Sequence, residues 1–100
     1  MPDEVYNLAA QSHVQVSFDT PIATAQINAV GVVNILEALR ACEGKSIRFY
    51  QAGSSEMFGN APAPQNEDTP FHPRSAYGIS KVTGFELTRN YREAYKLFAC

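Results

Sequence analysis

Tyr77 and Lys81 stand four residues apart in the run Tyr77-Gly78-Ile79-Ser80-Lys81. On a helix that spacing puts both side chains on one face, one turn from each other. A phenol exchanges protons near neutrality only if its pKa falls from about 10. A neighbouring ammonium favours the phenolate, and the same lysine can hydrogen-bond a ribose. A tyrosine merely packed on a lysine stem would show the same spacing. A second group, Ala52-Gly53-Ser54-Ser55-Glu56-Met57-Phe58-Gly59, carries a serine that can hydrogen-bond a sugar oxygen and a glutamate that can act as general base. Ordinary turn chemistry would also place Ser and Glu before a loop. A third, Leu8-Ala9-Ala10-Gln11-Ser12-His13, is small enough in side chain for its backbone to approach a flat ligand, or is simply a strand running into a loop.

The flanking patterns say which elements must hold these groups. Val5 to Ala10 is a short apolar run, read as a buried strand that stops at Gln11-Ser12-His13. Thr20-Pro21 reads as a helix start, with a hydroxyl cap followed by proline in the first turn. Ala29, Val32, Val33, Leu36 and Leu39 then recur at helical steps to about Cys42, and Gly44 is expected to close that helix. Ser46 to Ala52 is β-branched and aromatic, the composition of a second strand. Gly59 to Ala76 holds Pro62, Pro64, Pro70 and Pro73 and is expected to be a long irregular loop, a length that is often functional. Tyr77 to about Leu97 is again helical, with Leu87, Tyr91 and Tyr95 on one line, and Leu97 to Cys100 begins a third strand.

Strand, helix, strand, loop and helix in this order predict an α/β fold, a partial Rossmann-like doubly wound parallel sheet with right-handed crossovers. The strands read as nearly continuous apolar runs, so helices are expected on both sheet faces and neighbouring strands outside these residues. All three chemical groups then fall at the carboxyl ends of strands or at the helix that follows, where such sheets bind ligands.

Composition narrows the partners. The 100 residues are 45% hydrophobic and 18% charged, with a net charge of -2. No basic stripe is present to neutralise phosphates, so nucleic acid is not expected. Lys81, Arg89, Arg92 and Lys96 are interleaved with Glu86 and Glu93, the pattern of a solvated or subunit-facing surface. No run of about 18 apolar residues occurs, and Met1-Pro2-Asp3-Glu4 has no signal-peptide character, so neither a membrane span nor secretion is expected. Cys42 and Cys100 are too few for a disulfide scaffold, which suits a reducing cytoplasm. No metal-ligand spacing links His13 or His72 to either cysteine, and no metal is expected.

The order and the residues together resemble the extended short-chain dehydrogenase/reductases and, within them, the GDP-mannose 4,6-dehydratases. The resemblance rests on Tyr6 to Val14, Phe49 to Gly59, Thr69 to Ser75 and Tyr91 to Tyr95, and covers essentially the whole chain. Ser54-Ser55-Glu56 discriminates, because a plain sugar-nucleotide epimerase of this superfamily lacks the glutamate. The resemblance implies a catalytic set of Ser54, Glu56, Tyr77 and Lys81. It implies cofactor contacts from Leu8, Ala9, Ala10, Gln11 and Ser12 together with Tyr77 and Lys81. The cofactor would be NADP, with NAD the alternative, and the substrate GDP-mannose. Tyr77 would take the C4 hydroxyl proton, Lys81 would support the phenolate, Ser54 would bond the C4 oxygen, and Glu56 would remove the C5 proton as water leaves from C6. The full-length parent is expected to be a cytoplasmic homo-oligomer.

Some family features are not in these residues. The glycine-rich phosphate loop is missing, because Gly31, Gly44, Gly53, Gly59, Gly78 and Gly84 are too scattered to form it. Ala23 stands where the family often carries a tyrosine near the cofactor, and Phe58 where a tyrosine is common. The chain therefore reads as the central part of an NAD(P)-binding domain, without the glycine-rich motif or the nucleotide-sugar part, and inactive alone. A truncated interaction module, or a segment of a related epimerase, is the alternative reading.

Overall fold

The computed structural model describes residues 1–42 and 46–100. Gly44, the expected helix-closing residue, lies outside them. Three strands, β1 (Glu4–Asn7), β2 (Arg48–Gln51) and β3 (Phe98–Ala99), form a parallel sheet in that order. Asn7 pairs with Gln51, and Phe49 with Ala99. Both strands that carry the chemistry are shorter than their apolar runs suggested, so Leu8 to Ser12 and Ala52 to Ser54 lie past the strand ends.

The connections are helical. α1 (Val14–Asp19), α2 (Pro21–Ala25), a π-helical turn (Gln26–Val30) and α3 (Gly31–Arg40) lead from β1 to β2. A 3₁₀ turn (Ser55–Met57), the irregular loop and α4 (Ala76–Tyr95) lead from β2 to β3. Two right-handed crossovers that step the same way across a sheet must lie on the same face. The burial pattern agrees: Asn7, Phe49 and Ala99 face the helices, whereas Tyr6, Tyr50 and Phe98 are exposed on the opposite face. On that face the Tyr6 and Tyr50 rings lie 6.0 Å apart, and Arg48 pairs with Glu4 at 2.6 Å. The helices of this chain thus cover one face of its sheet, and along each strand inward and outward side chains alternate.

The core is Val32, Leu36, Phe49 and Ala99, joined by Val5, Ile35, Leu39, Leu87, Tyr91 and Leu97. Burying a side chain the size of Phe49 stabilises the fold by about 1.5–3 kcal/mol. Toward its N-terminal half the same helix line turns polar, since the residues buried there are Thr24 and Asn28, while Ile22, Ile27 and Val30 face outward. Gly84 of α4 lies at this crossing, where a Cβ would make ordinary contacts, 3.4 Å from Val32 Cγ2 and 3.5 Å from the Asn28 carbonyl. By length and composition Pro21–Arg40 is apolar enough to cross a bilayer, contrary to the sequence reading, but here Val32 and Leu36 carry it onto the sheet.

Local details explain the boundaries. The unanticipated α1 is capped by His13, whose Nδ1 accepts from Val16 N–H at 3.3 Å. Thr20 stands at the N-cap of α2 with Pro21 next, as expected, but its hydroxyl does not cap: it donates back to the Val16 carbonyl at 3.0 Å. Ser75 caps α4 by accepting from Gly78 N–H at 2.9 Å. The loop is anchored by the ring series Phe58, Phe71 and Phe85, at 5.3 and 5.1 Å, and by Gly59. Gly59 has φ of +54°, and any Cβ there would collide with the His72 carbonyl. Lys96, in the left-handed conformation, ends α4 and admits β3.

Candidate active site

The carboxyl ends of β1 and β2 meet the first turns of α4 at one edge of the sheet. Lys81 is only 5% exposed. Its ammonium donates to the Ala52 carbonyl at 3.3 Å and stands 5.9 Å from the centre of the Tyr77 ring. Burial pushes its pKa below the usual lysine range, since desolvation penalises the charged form. Tyr77 is itself buried, so phenol and ammonium share a sheltered position one helical turn apart.

Ser54 follows Ala52 by two residues. Its Oγ accepts from the Glu56 N–H at 3.1 Å and caps the turn Ser55–Met57. The Glu56 residue is exposed, while its carbonyl is pressed against α4: a Cβ on Gly78 would fall 2.7 Å from that oxygen. The absence of a side chain on the residue next to Tyr77 is what lets the Ser54–Glu56 turn lie flush on the helix. The structure therefore brings Ser54, Glu56, Tyr77 and Lys81 into one neighbourhood.

The strip after β1 is fixed from below. Ala9 N–H donates to Asn7 Oδ1 at 3.3 Å. The Gln11 N–H donates to Asn28 Oδ1 at 2.8 Å, and Asn28 Nδ2 returns a bond to the Gln11 carbonyl at 3.0 Å. The same Nδ2 donates to Ser80 Oγ at 3.1 Å, and Ser80 donates to the Tyr77 carbonyl at 2.6 Å. Leu8, Ala9 and Ser12 are exposed and Ala10 is partly so. The Gln11 side chain turns inward instead, donating to Thr24 Oγ1 at 3.0 Å.

Sequence reasoning missed Asn28, Asn7 and Gln51. Asn28 had a signal, as a polar residue four steps from Thr24 and four from Val32 on the helix line that enters the core. Asn7 and Gln51 had none, because their partnership depends on the strand register. A small cavity of about 50 Å³ beside the site, lined by Gln51, Gly53, Phe85, Thr88, Arg92 and Cys100, is too small for a sugar nucleotide.

The family model for GDP-mannose 4,6 dehydratase matches residues 1–100. The chain belongs to the GDP-mannose 4,6 dehydratase family. It is 60% identical to GDP-mannose 4,6 dehydratase 2 of Arabidopsis thaliana over 102 residues, covering 99% of this chain and 27% of that protein. It is 55% identical to the Drosophila melanogaster GDP-mannose 4,6 dehydratase, covering 99% of this chain and 26% of the relative. The Vibrio cholerae enzyme is 50% identical over 99% of this chain and 27% of its own length. The chain thus spans about a quarter of the length of these curated relatives. Among solved structures, RMD from Pseudomonas aeruginosa complexed with NADPH matches with a TM-score of 0.89 and 33% identity, covering 98% of this chain and 34% of that one. UDP-glucuronic acid 4-epimerase from Bacillus cereus, in complex with UDP-glucuronic acid and NAD, matches with 0.89 and 25%, covering 97% and 31%. Membership in the dehydratase family and these structural matches establish the α/β, partial Rossmann-like class of this chain.

Proposed function

We propose that this chain is a central segment of a sugar-nucleotide 4,6-dehydratase that converts GDP-mannose to GDP-4-dehydro-6-deoxy-mannose. The carrying observation is the contact of the Glu56 carbonyl with Gly78, which brings a candidate base beside the Tyr77–Lys81 pair. The residues after β1 suit the nicotinamide end of a dinucleotide: a small-residue strip, pinned at Ala9 and Gln11, opens toward solvent at the sheet edge that also holds Lys81. NADP is the proposed cofactor, with NAD the alternative; structural neighbours are described with NADPH and with NAD. The remaining cofactor and sugar contacts, the pyrophosphate cradle among them, belong to other parts of the full-length protein.

When bound, the cofactor supplies the hydride acceptor at C4 and the donor at C6. The protein supplies the proton transfers. Tyr77, as phenolate, takes the C4 hydroxyl proton, and the Lys81 ammonium favours that phenolate and reaches the ribose. Ser54 donates to the C4 oxygen and steadies it. With C4 a ketone, the C5 proton is acidic; Glu56 removes it and passes a proton to the departing C6 hydroxyl, which leaves as water. As C6 regains hydride, C5 regains a proton, and Tyr77 gives up the one it took from the C4 hydroxyl, so one water is lost with no net change of protons or electrons. Exposed Ile22, Ile27 and Val30 supply apolar surface for the proposed homo-oligomer, and free cysteines Cys42 and Cys100 suit a reducing cytoplasm.

The test is a chimera in which this chain replaces the matching residues of a full-length relative. Mass spectrometry of GDP-mannose reactions should show loss of water. Glu56→Gln should lower dehydration by several powers of ten and leave NADPH binding intact. Undiminished dehydration in that variant overturns the base assignment, and an inert unsubstituted chimera overturns the functional reading.

A further inference from the structure

Two side-chain amides, Asn7 buried and Gln51 partly so, join the strip after β1 to the lysine of α4. Asn7 is 6% exposed, and its Oδ1 accepts from Ala9 N–H at 3.3 Å. Its Nδ2 donates to Gln51 Oε1 at 2.8 Å. Gln51 Nε2 in turn donates to the Ala52 carbonyl at 3.2 Å, the same oxygen that receives the Lys81 ammonium at 3.3 Å. Ala52 N–H closes the circuit on the Asn7 carbonyl at 3.2 Å.

The ends of this relay fix its direction. A backbone N–H can only donate and a carbonyl can only accept. Because Ala9 donates into Asn7, the Asn7 amide must turn its NH₂ to Gln51. Because Gln51 then accepts, its own NH₂ must face Ala52. One amide orientation at each residue satisfies every partner. The parallel register that sets Asn7 opposite Gln51 is what brings the two amides into reach.

We propose that Asn7 and Gln51 are a positioning pair for the dehydratase reaction, holding the Ala52 carbonyl where it tethers Lys81 relative to Tyr77 and to the cofactor strip. The inference rests on the functional reading above and adds two residues to it. Neither amide touches substrate in this scheme; both act through the lysine. The other charged and titratable groups around this site are Tyr77 on α4, Glu56 on the turn packed against Gly78, His72 and Arg74 on the loop, and Arg89, Arg92 and Cys100, which line the small cavity with Gln51.

Gln51→Glu and Gln51→Met in the chimera test it. The glutamate can still accept from Asn7, but it no longer donates to Ala52 and it sets a negative charge near the lysine head. Both variants should lower kcat with GDP-mannose by roughly tenfold or more, as a displaced reacting group does, with KM held within about twofold. In Gln51→Glu alone the acid limb of the kcat–pH profile should move to higher pH, because the added carboxylate disfavours the Tyr77 phenolate. Nicotinamide fluorescence, which needs no sugar, should show weaker NADPH binding in both. Unchanged kcat, an unmoved limb and unchanged NADPH affinity in the folded variants overturn the pair. If the unsubstituted chimera binds NADPH but leaves GDP-mannose intact, the substrate assignment fails, and NADPH affinity alone decides for or against the pair.

Discussion

Asn28 grips the peptide of Gln11 from both sides, accepting from its N–H at 2.8 Å and donating to its carbonyl at 3.0 Å. A helix interior thereby controls the backbone of the loop that follows β1, seventeen residues earlier in the chain. The same side chain reaches Ser80, so one buried amide joins the proposed cofactor strip to the turn that bears Tyr77 and Lys81.

Asn28→Ala should therefore act on stability and on binding together. It leaves the partly buried Gln11 backbone without these partners, which costs up to about 1–3 kcal/mol per group where water does not replace them. Thermal denaturation of the chimera should show a lower midpoint, and an NADPH titration should show weaker affinity. A variant with both values unchanged would show that the strip is held by other means.

Gly78→Ala and Gly84→Ala make a matched pair on one helix. Alanine is intrinsically favoured over glycine inside a helix by about 1 kcal/mol. At Gly84 the new methyl meets Val32 Cγ2 at 3.4 Å and should be nearly neutral. At Gly78 it meets the Glu56 carbonyl at 2.7 Å and must push the Ser54–Glu56 turn away from Tyr77. In the chimera, the proposed dehydratase activity should fall on the order of a hundredfold with Gly78→Ala and stay near normal with Gly84→Ala. Equal activities would mean that the contact does not set the catalytic geometry.

Lys81→Met should separate stability from chemistry. Burial holds the folded-state pKa of Lys81 below its unfolded value of 10.5. Between those two values the unfolded chain binds more protons, so stability rises with pH. Replacing the ammonium with a thioether removes that rise and the cost of burying a charge. In the chimera, denaturation midpoints should be higher than in the parent near neutral pH, with a smaller rise toward pH 10, while the proposed activity falls on the order of a hundredfold or more. A midpoint lowered at neutral pH would show that the bond to Ala52 outweighs the desolvation.

Glu37 contributes on the acid side. Its carboxylate accepts from Arg40 at 2.8 and 3.0 Å and from the Tyr91 hydroxyl at 2.9 Å, and these donors hold its pKa down at about 2 from 4.5. A depressed carboxylate contributes its stability above the unfolded pKa and loses it as pH falls through the folded one. The contribution is thus present at pH 5 and disappears between about 4.5 and 2. Glu37→Gln should flatten that part of an acid-unfolding curve, and circular dichroism of both proteins across the window checks it.

Much of the fold was readable because its elements are punctuated locally. Thr20-Pro21, the proline-rich loop and the four-residue step from Tyr77 to Lys81 carry their meaning within a few residues. What escaped depends on partners distant in sequence. Nothing local in Val14–Asp19 announces a helix, and its cap is a histidine. The outward turn of Ile22, Ile27 and Val30 is set by α4, which offers Ser80, Gly84 and Thr88 to the seam and so receives Thr24 and Asn28. That both crossovers of this chain lie on the same face follows from their stepping in the same direction, a property of topology and not of any strand's composition. Ser54, Glu56, Tyr77 and Lys81 were visible as residue types, but the Asn7–Gln51 link that leads to the Ala52 carbonyl and Lys81 became visible only with the register.

α4 carries the proposed chemistry at one end and the Glu37–Tyr91 clasp at the other. Tyr77 and Tyr91 are fourteen positions apart, roughly 21 Å along the axis. A rigid rod of that length uncouples two demands that a shorter element would confound. Substitutions at the clasp can retune tolerance to acid or heat without moving the phenol, and substitutions near the phenol can remodel reactivity on an undisturbed anchor. A lineage carrying this helix can therefore adapt to a new habitat and to a new substrate independently, by mutations that do not interfere.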